Sequence, residues 1–541
     1  MLSVFQNLVT EWTYTAGRPY GDPSRDVELD VLITDPEGSE RRVPAFWAGE
    51  HTWGVRFASH VVGVHRFRTV CSDPGSDLHG REGAIEVVPY EGDNPLARHG
   101  PLRVAADRRH LEHADGTPFF WLGDTWWMAL SRRLAWPDEF HTLVADRAGK
   151  SFSVIQIVAG LYPDMDGFDP RGANEAGFPW ASGYARINPR YFDQADLRIA
   201  YLVRSGLVPC IVGSWGYYMD RAGEDVLRQH WRNLVARYAA YPVVWCVAGE
   251  ALMGYYTDPE HWQPSEERLA LLRRRWSELA RHIRRLDGFG RPITIHPTRL
   301  GRDQVDDPFV LDLEMLQTGH SGHGTLGSTV DMLTSSLARE PMMPVLVGEV
   351  NYEGILGTAW EDMQRFQFWA CMLSGAAGHT YGANGLWQLN RPDMPYGSSP
   401  HGASWGGPSW QEAMRLPGSA QLGIGRRLLE RYPWQRFEVH PEWVEPRQTP
   451  ECRVAPYAAG IPGQVRIIYY PVESAWAASG GQMRVLGLEE GAAYRAAYVD
   501  PITGREYDLG PVRAHPQGSY TVPRPPVVHD WLLVLENAGS S

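Results

Sequence analysis

The chain lacks the marks of several protein classes. Its five cysteines are Cys71, Cys210, Cys246, Cys371 and Cys452. The number is odd and no two are spaced as CxxC, so neither a disulfide framework nor a zinc site is implied. Cys210, Cys246 and Cys371 sit in apolar or helical runs and read as buried thiols. No basic stretch offsets the formal net charge of −13, which argues against a nucleic-acid partner. No apolar run is long enough to cross a bilayer, so no membrane partner is expected. Met1-Leu-Ser-Val-Phe-Gln-Asn shows no basic region followed by an apolar run, and the expected location is cytoplasmic. Internal repeats and low-complexity tracts are absent.

Metal signals are equally thin. Asp164-Met-Asp-Gly-Phe-Asp169 has its glycine at the wrong position for an EF-hand loop, so it reads as a substrate loop or turn. His320-Ser-Gly-His323 is loosely spaced and has no third ligand. The expectation is no metal and no cofactor.

What is present points to a large soluble protein. A chain of 541 residues is too long for one ordinary core and implies two to four domains. Apolar residues at 43% and charged residues at 21% fit a globular composition. The many Trp and Tyr suit sugar-stacking platforms, but also ordinary cores.

Residues 1–95 read as an all-β module, with alternating runs at Asp26–Thr34 and His60–Val70 and a turn at Asp35-Pro-Glu-Gly38. A hairpin at Leu102 and Leu111 leads into the next region. From Phe119 strands alternate with helical patterns, the signature of a parallel α/β domain. The eight strands expected are Phe119–Asp124, Phe152–Val158, Leu207–Trp215, a run ending at Glu250, Pro292–His296, Val310–Gln317, a run ending at Glu349, and Gly378–Tyr381. Helices are expected over 191–204, 224–241, 266–286, 330–338 and 360–374. Eight such units fit a (β/α)8 TIM barrel over residues 96–432. A doubly wound open sheet is the rival, but no glycine-rich phosphate turn follows the first strand. Residues 433–541 return to short strands, among them Gln464–Tyr470, Gly480–Leu486, Tyr494–Val499 and Asp530–Leu535. The fold class is thus α/β, a barrel flanked by N-terminal and C-terminal β-sandwich modules.

The chemistry concentrates at two strand ends. Pro344-Val-Leu-Val-Gly-Glu349 and Pro242-Val-Val-Trp-Cys-Val-Ala-Gly-Glu250 share one grammar: an apolar run, a glycine and a glutamate. Barrel enzymes keep their reacting groups at the C-terminal ends of strands. A lone glutamate there can simply begin a solvated loop. Two of them, suiting the fourth and seventh strands, are what glycosidic cleavage needs. One protonates the leaving oxygen and the other acts as nucleophile or as base for water.

At Gly123-Asp124-Thr-Trp-Trp127, Gly249-Glu250, Gly348-Glu349-Val-Asn-Tyr352-Glu353 and Tyr381-Gly-Ala-Asn-Gly-Leu-Trp387 the chain resembles the apiosidase-like family of glycoside hydrolases, whose barrel is related to clan A. The C-terminal module, with Tyr498-Val-Asp-Pro-Ile-Thr-Gly504, resembles a domain named collagen-binding that often follows such barrels. The N-terminal module resembles an uncharacterised one often found before them. The resemblance implies a retaining mechanism with Glu250 as acid/base and Glu349 as nucleophile. Two positions depart from the pattern. Some relatives carry Asp in place of Glu250, and many clan A enzymes place Asn where this chain has Gly249.

Around this pair the expected substrate-binding residues are Asp124, Trp126, Trp127, Gln156, Trp215, His296, Gln317, His320, Tyr352, Tyr381 and Trp387. Tyr352 is also placed to hydrogen-bond the nucleophile. Glu353 reads as structural. The expected activity is a retaining, exo-acting glycoside hydrolase. It releases a terminal pentose or other small sugar, such as apiose or arabinose, from an oligosaccharide or glycoside. A non-catalytic carbohydrate-binding protein on a dead barrel and a transglycosylase using the same carboxylates are the alternatives. Self-association is left open.

Overall fold

The computed structural model describes residues 2–254, 264–399, 405–472, 483–513, 518–537 and 539. At its centre is an eight-stranded parallel sheet of Trp121–Thr125, Val154–Val158, Val208–Val212, Val244–Cys246, Ile293–Thr294, Glu314–Gln317, Val345–Glu349 and Gly378–Tyr381. The strands neighbour one another in chain order, and the first pairs with the eighth. The fifth and sixth form no continuous ladder. Bonds from Asp312 N to Ile293 O (2.8 Å) and from Thr294 Oγ1 to Leu313 O (2.9 Å) draw them together. The result is a nearly closed barrel. Every strand is buried along most or all of its length, which is why each reads as an apolar run rather than an alternation.

Helices pack outside the strands. Glu266–Leu286 has the bounds expected of it, with Ser265 capping its N-terminus. Pro189–Arg204, Glu224–Tyr238, Leu326–Leu337 and Glu361–Met372 agree with their expected ranges to within a few residues. Two further helices, Asp138–Gly149 and Pro417–Leu429, carry no clear pattern in sequence. In the first, the buried face runs Phe140, Leu143, Val144 and Arg147. A buried arginine stands where the period calls for an apolar residue. In the second, three glycines dilute the apolar face.

The N-terminal residues form a five-stranded and a three-stranded sheet around a separate core that includes Val31, Trp53, Val55 and Ile85. Arg56 ties this module to the barrel, donating to Asp196 (2.6 Å) and to the carbonyl of Arg237 (2.8 Å). The C-terminal residues form a six-stranded and a three-stranded sheet. The expected run Gly480–Leu486 is observed only as Arg484–Val485, since 480–482 lie outside the described residues. Buried Arg365, on a barrel helix, grips both carboxylate oxygens of Asp530 at 2.7–3.1 Å and fixes this module to the barrel wall. No helix among the described residues is long and apolar enough to cross a membrane.

Candidate active site

The C-terminal mouth of the barrel holds a cavity of about 150 Å³. Trp127, Trp215, Trp387, Trp405 and Tyr352 supply aromatic walls, and Glu250 and Glu349 face into it. A roomier cavity of about 350 Å³ opens at the opposite end, near Arg108, Met343 and Val439. Its described lining residues include no carboxylate pair, and barrel enzymes do not place their chemistry at that end.

Glu349 ends the seventh strand. Four side chains reach its carboxylate. His296 Nε2 lies 3.1 Å from Oε2 and Tyr352 donates to the same oxygen at 2.6 Å. His320 Nε2 lies 2.8 Å from Oε1, and Gln317 Nε2 donates to that oxygen at 3.1 Å. Burial by itself would raise this carboxyl, but the hydrogen bonds and charge of His296 and His320 outweigh it and hold Glu349 well below the usual range. It is an anion at neutral pH.

Glu250 lies four residues past the end of the fourth strand, on a loop. Its backbone takes φ +44°, a left-handed conformation that costs a non-glycine residue energy and recurs at functional sites. Trp215 Nε1 donates to Oε2 and Gln317 Nε2 to Oε1, each at 3.1 Å. Burial first, and then the negative charge of Glu349, push Glu250 up from 4.5 to about 7. Two carboxylates in one cavity are thereby driven in opposite directions, one to keep a proton and one to lose it.

Gln317 connects them. One amide nitrogen donates 3.1 Å to each carboxylate, so the two oxygens lie at most about 6 Å apart, twice that length.

Gly249 has a packing reason. The Trp215 indole lies against its Cα, and a Cβ there would sit 2.3 Å from the ring. A larger residue at 249 displaces the indole that holds Glu250. Gly382 does the same for Tyr352, since a Cβ would lie 2.1 Å from that ring.

Of the expected site residues, Trp127, Trp215, Gln317, His320, Tyr352 and Trp387 line the cavity with the two glutamates. His296 stands behind Glu349, fully buried, with its Nε2 against the Glu349 carboxylate and its ring against Trp127 and Trp215. Four residues are placed elsewhere. Asp124 and Thr125 alternate along the first strand. Thr125 shares the barrel interior with Gln156, so Asp124 faces the helix layer. There it is fully buried and binds Arg147 Nε (2.6 Å) and Trp126 Nε1 (2.7 Å). Asp124 is therefore paired with Arg147 and Trp126 hydrogen-bonds that buried pair, and neither lines the cavity. Gln156 is sealed inside the barrel, its Nε2 donating to the carbonyl of Gly348 at 2.8 Å. Tyr381 is buried and donates to Glu353, which also accepts from Gly418 N at 3.0 Å. Burial raises Glu353 to about 7.

The rim adds Pro163, Asp164, Met253, Ile355 and Trp405, from the loops after strands two, four, seven and eight. Sequence reasoning singled out only Asp164 among these, as part of a substrate loop or turn. Loop residues have no period that would reveal which way they face.

The model of the apiosidase-like catalytic domain matches residues 105–436, more than half of the chain. A domain of unknown function, DUF5060, matches residues 3–72. No curated protein matches the chain in sequence. Among solved structures, a family 5 glycoside hydrolase from Bacteroides vulgatus ATCC 8482 is similar over 83% of this chain and 96% of its own, at 22% identity and a TM-score of 0.68. A candidate glycoside hydrolase from the same organism is similar over 99% of this chain and 100% of its own, at 15% identity and a TM-score of 0.72. At these identities the likeness speaks for the fold. The family model carries the assignment: the chain belongs to the apiosidase-like family of glycoside hydrolases.

Proposed function

We propose that this protein is a retaining, exo-acting glycosidase in which Glu250 is the acid/base and Glu349 the nucleophile. The observation that carries the reading is the Gln317 nitrogen shared between the two carboxylates. The bonded oxygens lie at most about 6 Å apart, below the about 6.5–9.5 Å that inversion needs to admit a water, which supports attack by one carboxylate while the other protonates the leaving oxygen. The opposed pKa shifts support the same roles. Glu250 near 7 holds a proton for the departing oxygen, and ionised Glu349 attacks the anomeric carbon. Bond formation to the sugar then removes the charge of Glu349. That lowers the pKa of Glu250 and turns it into the base that activates water.

A cavity of about 150 Å³ with indole walls has room for one sugar ring, which supports release of a terminal residue. Family membership supports a small sugar, apiose or arabinose. The test is hydrolysis of aryl furanosides and pyranosides by wild type, Glu250→Ala and Glu349→Ala, with the anomer of the first product read by NMR. Turnover of one sugar with retained configuration, abolished in Glu349→Ala and rescued there by azide with inverted product, is the expected result. Equal cleavage by both variants refutes the assignment. Sugar binding without turnover favours a dead barrel, and product diverted onto added sugar acceptors favours a transglycosylase.

A further inference from the structure

Among the described residues Asp164 is the third carboxylate lining the cavity, and the reaction described above does not use it. It follows the second barrel strand, is 4% exposed, and sits at φ +58°. Its main-chain carbonyl accepts from Arg171 Nη2 at 3.3 Å. Ser399 Oγ donates to its Oδ2 at 2.7 Å and in turn accepts from Trp405 Nε1 at 2.9 Å. Two loops thus hold the carboxylate beside the Trp405 wall. The described residues lining the cavity include no Lys or Arg. A carboxylate accepts up to about four hydrogen bonds, and sugar hydroxyls are the donors that a one-ring cavity brings to it.

We propose that Asp164 is a specificity-determining residue that accepts a hydrogen bond from one hydroxyl of the terminal sugar and, with the reacting pair, restricts the cavity to sugars without a carboxylate, sulfate or phosphate. This rests on the glycosidase reading. A hydrogen bond to a charged group is worth enough that its loss costs about 10- to 100-fold. Asp164 also faces Glu250, together with Glu349 from strand seven and His296 from strand five, and its charge helps to raise Glu250.

The experiment is a cycle between Asp164→Asn and a series of monodeoxy aryl glycosides of the sugar that wild type cleaves best. Asparagine keeps an oxygen for Ser399, and melting temperature checks the fold. Wild type is expected to lose about 10- to 100-fold in kcat/KM with one deoxy sugar and little with the others. Asp164→Asn loses a similar factor with the parent sugar and no more with that deoxy sugar. Its alkaline limb also moves to lower pH, which a purely structural role would not produce. Uronides of matching configuration bind wild type at least tenfold more weakly than their neutral parents. Independent losses across the whole deoxy series, or uronides bound as tightly as neutral sugars, overturn the proposal while leaving the hydrolase intact. If no glycoside is cleaved, the same cycle is read by calorimetric binding. Binding without cleavage then refutes the hydrolase alone, and the cycle still decides Asp164.

Discussion

If Glu250 is the proton donor proposed above, raising the pH through neutrality removes the proton it delivers. Its displacement from 4.5 to about 7 corresponds to roughly 3 kcal/mol of preference for the protonated form. Burial is the larger cause. Glu349, within about 6 Å through the shared Gln317 nitrogen, contributes on the order of 3 kcal/mol at an effective dielectric of 20. Gln317 and His296 pull the other way, which keeps the net value near neutrality. Under the proposed roles protonated Glu250 is the active form, so activity is expected to be present below about pH 7 and lost above it. The expected kcat/KM falls about tenfold per unit above pH 7, and about 100-fold by pH 9. In Glu250→Gln that limb disappears. The variant loses about 10²- to 10⁴-fold on glycosides with alkyl leaving groups. It loses far less on those with acidic phenols, which leave without a proton. The assay is a pH series of initial rates on both substrate types. A limb that persists in Glu250→Gln, or equal losses with both leaving groups, refutes Glu250 as the donor.

Three other substitutions test the supporting residues. Gly249→Ala puts a Cβ against the Trp215 ring and is expected to lower kcat at least tenfold while the chain remains folded by circular dichroism; unchanged kinetics would show that Trp215 does not position Glu250. Tyr352→Phe removes the 2.6 Å bond to Glu349 and is expected to cost about 10- to 100-fold in kcat and to shift the acidic limb of the rate profile upward. A profile that keeps its shape argues against that bond. Arg147→Leu leaves Asp124 as an uncompensated buried charge and is expected to destabilise the fold by about 3–5 kcal/mol, read by denaturant unfolding; a loss of less than about 1 kcal/mol would mean that Asp124 escapes the charge by taking up a proton.

How far the site was legible follows from the kind of signal each residue leaves. Glu349 is announced by three consecutive apolar residues and a glycine, because a strand buried on both faces can end in a charge only where it leaves the barrel. Glu250 is announced in the same way, although its strand ends earlier, at Cys246. Asp124 carries the same outward signal, an apolar run ending in an acid, yet it faces the helix layer. A single residue of parity separates pocket from wall, and Arg147, the partner that settles it, is 23 positions away on a helix with no clear sequence pattern.

By itself the sequence determined the barrel, its two β-sheet companions and the glutamate pair, since burial on both faces of a strand and its abrupt end are written in local composition. Only the tertiary structure decided which polar groups meet. Gln317 between the carboxylates, the two histidines on Glu349, and the approach of Asp164 to the cavity all depend on where loops from different strands converge. Contacts between distant residues leave no period in the chain, so they exist only once the barrel has brought its strand ends together.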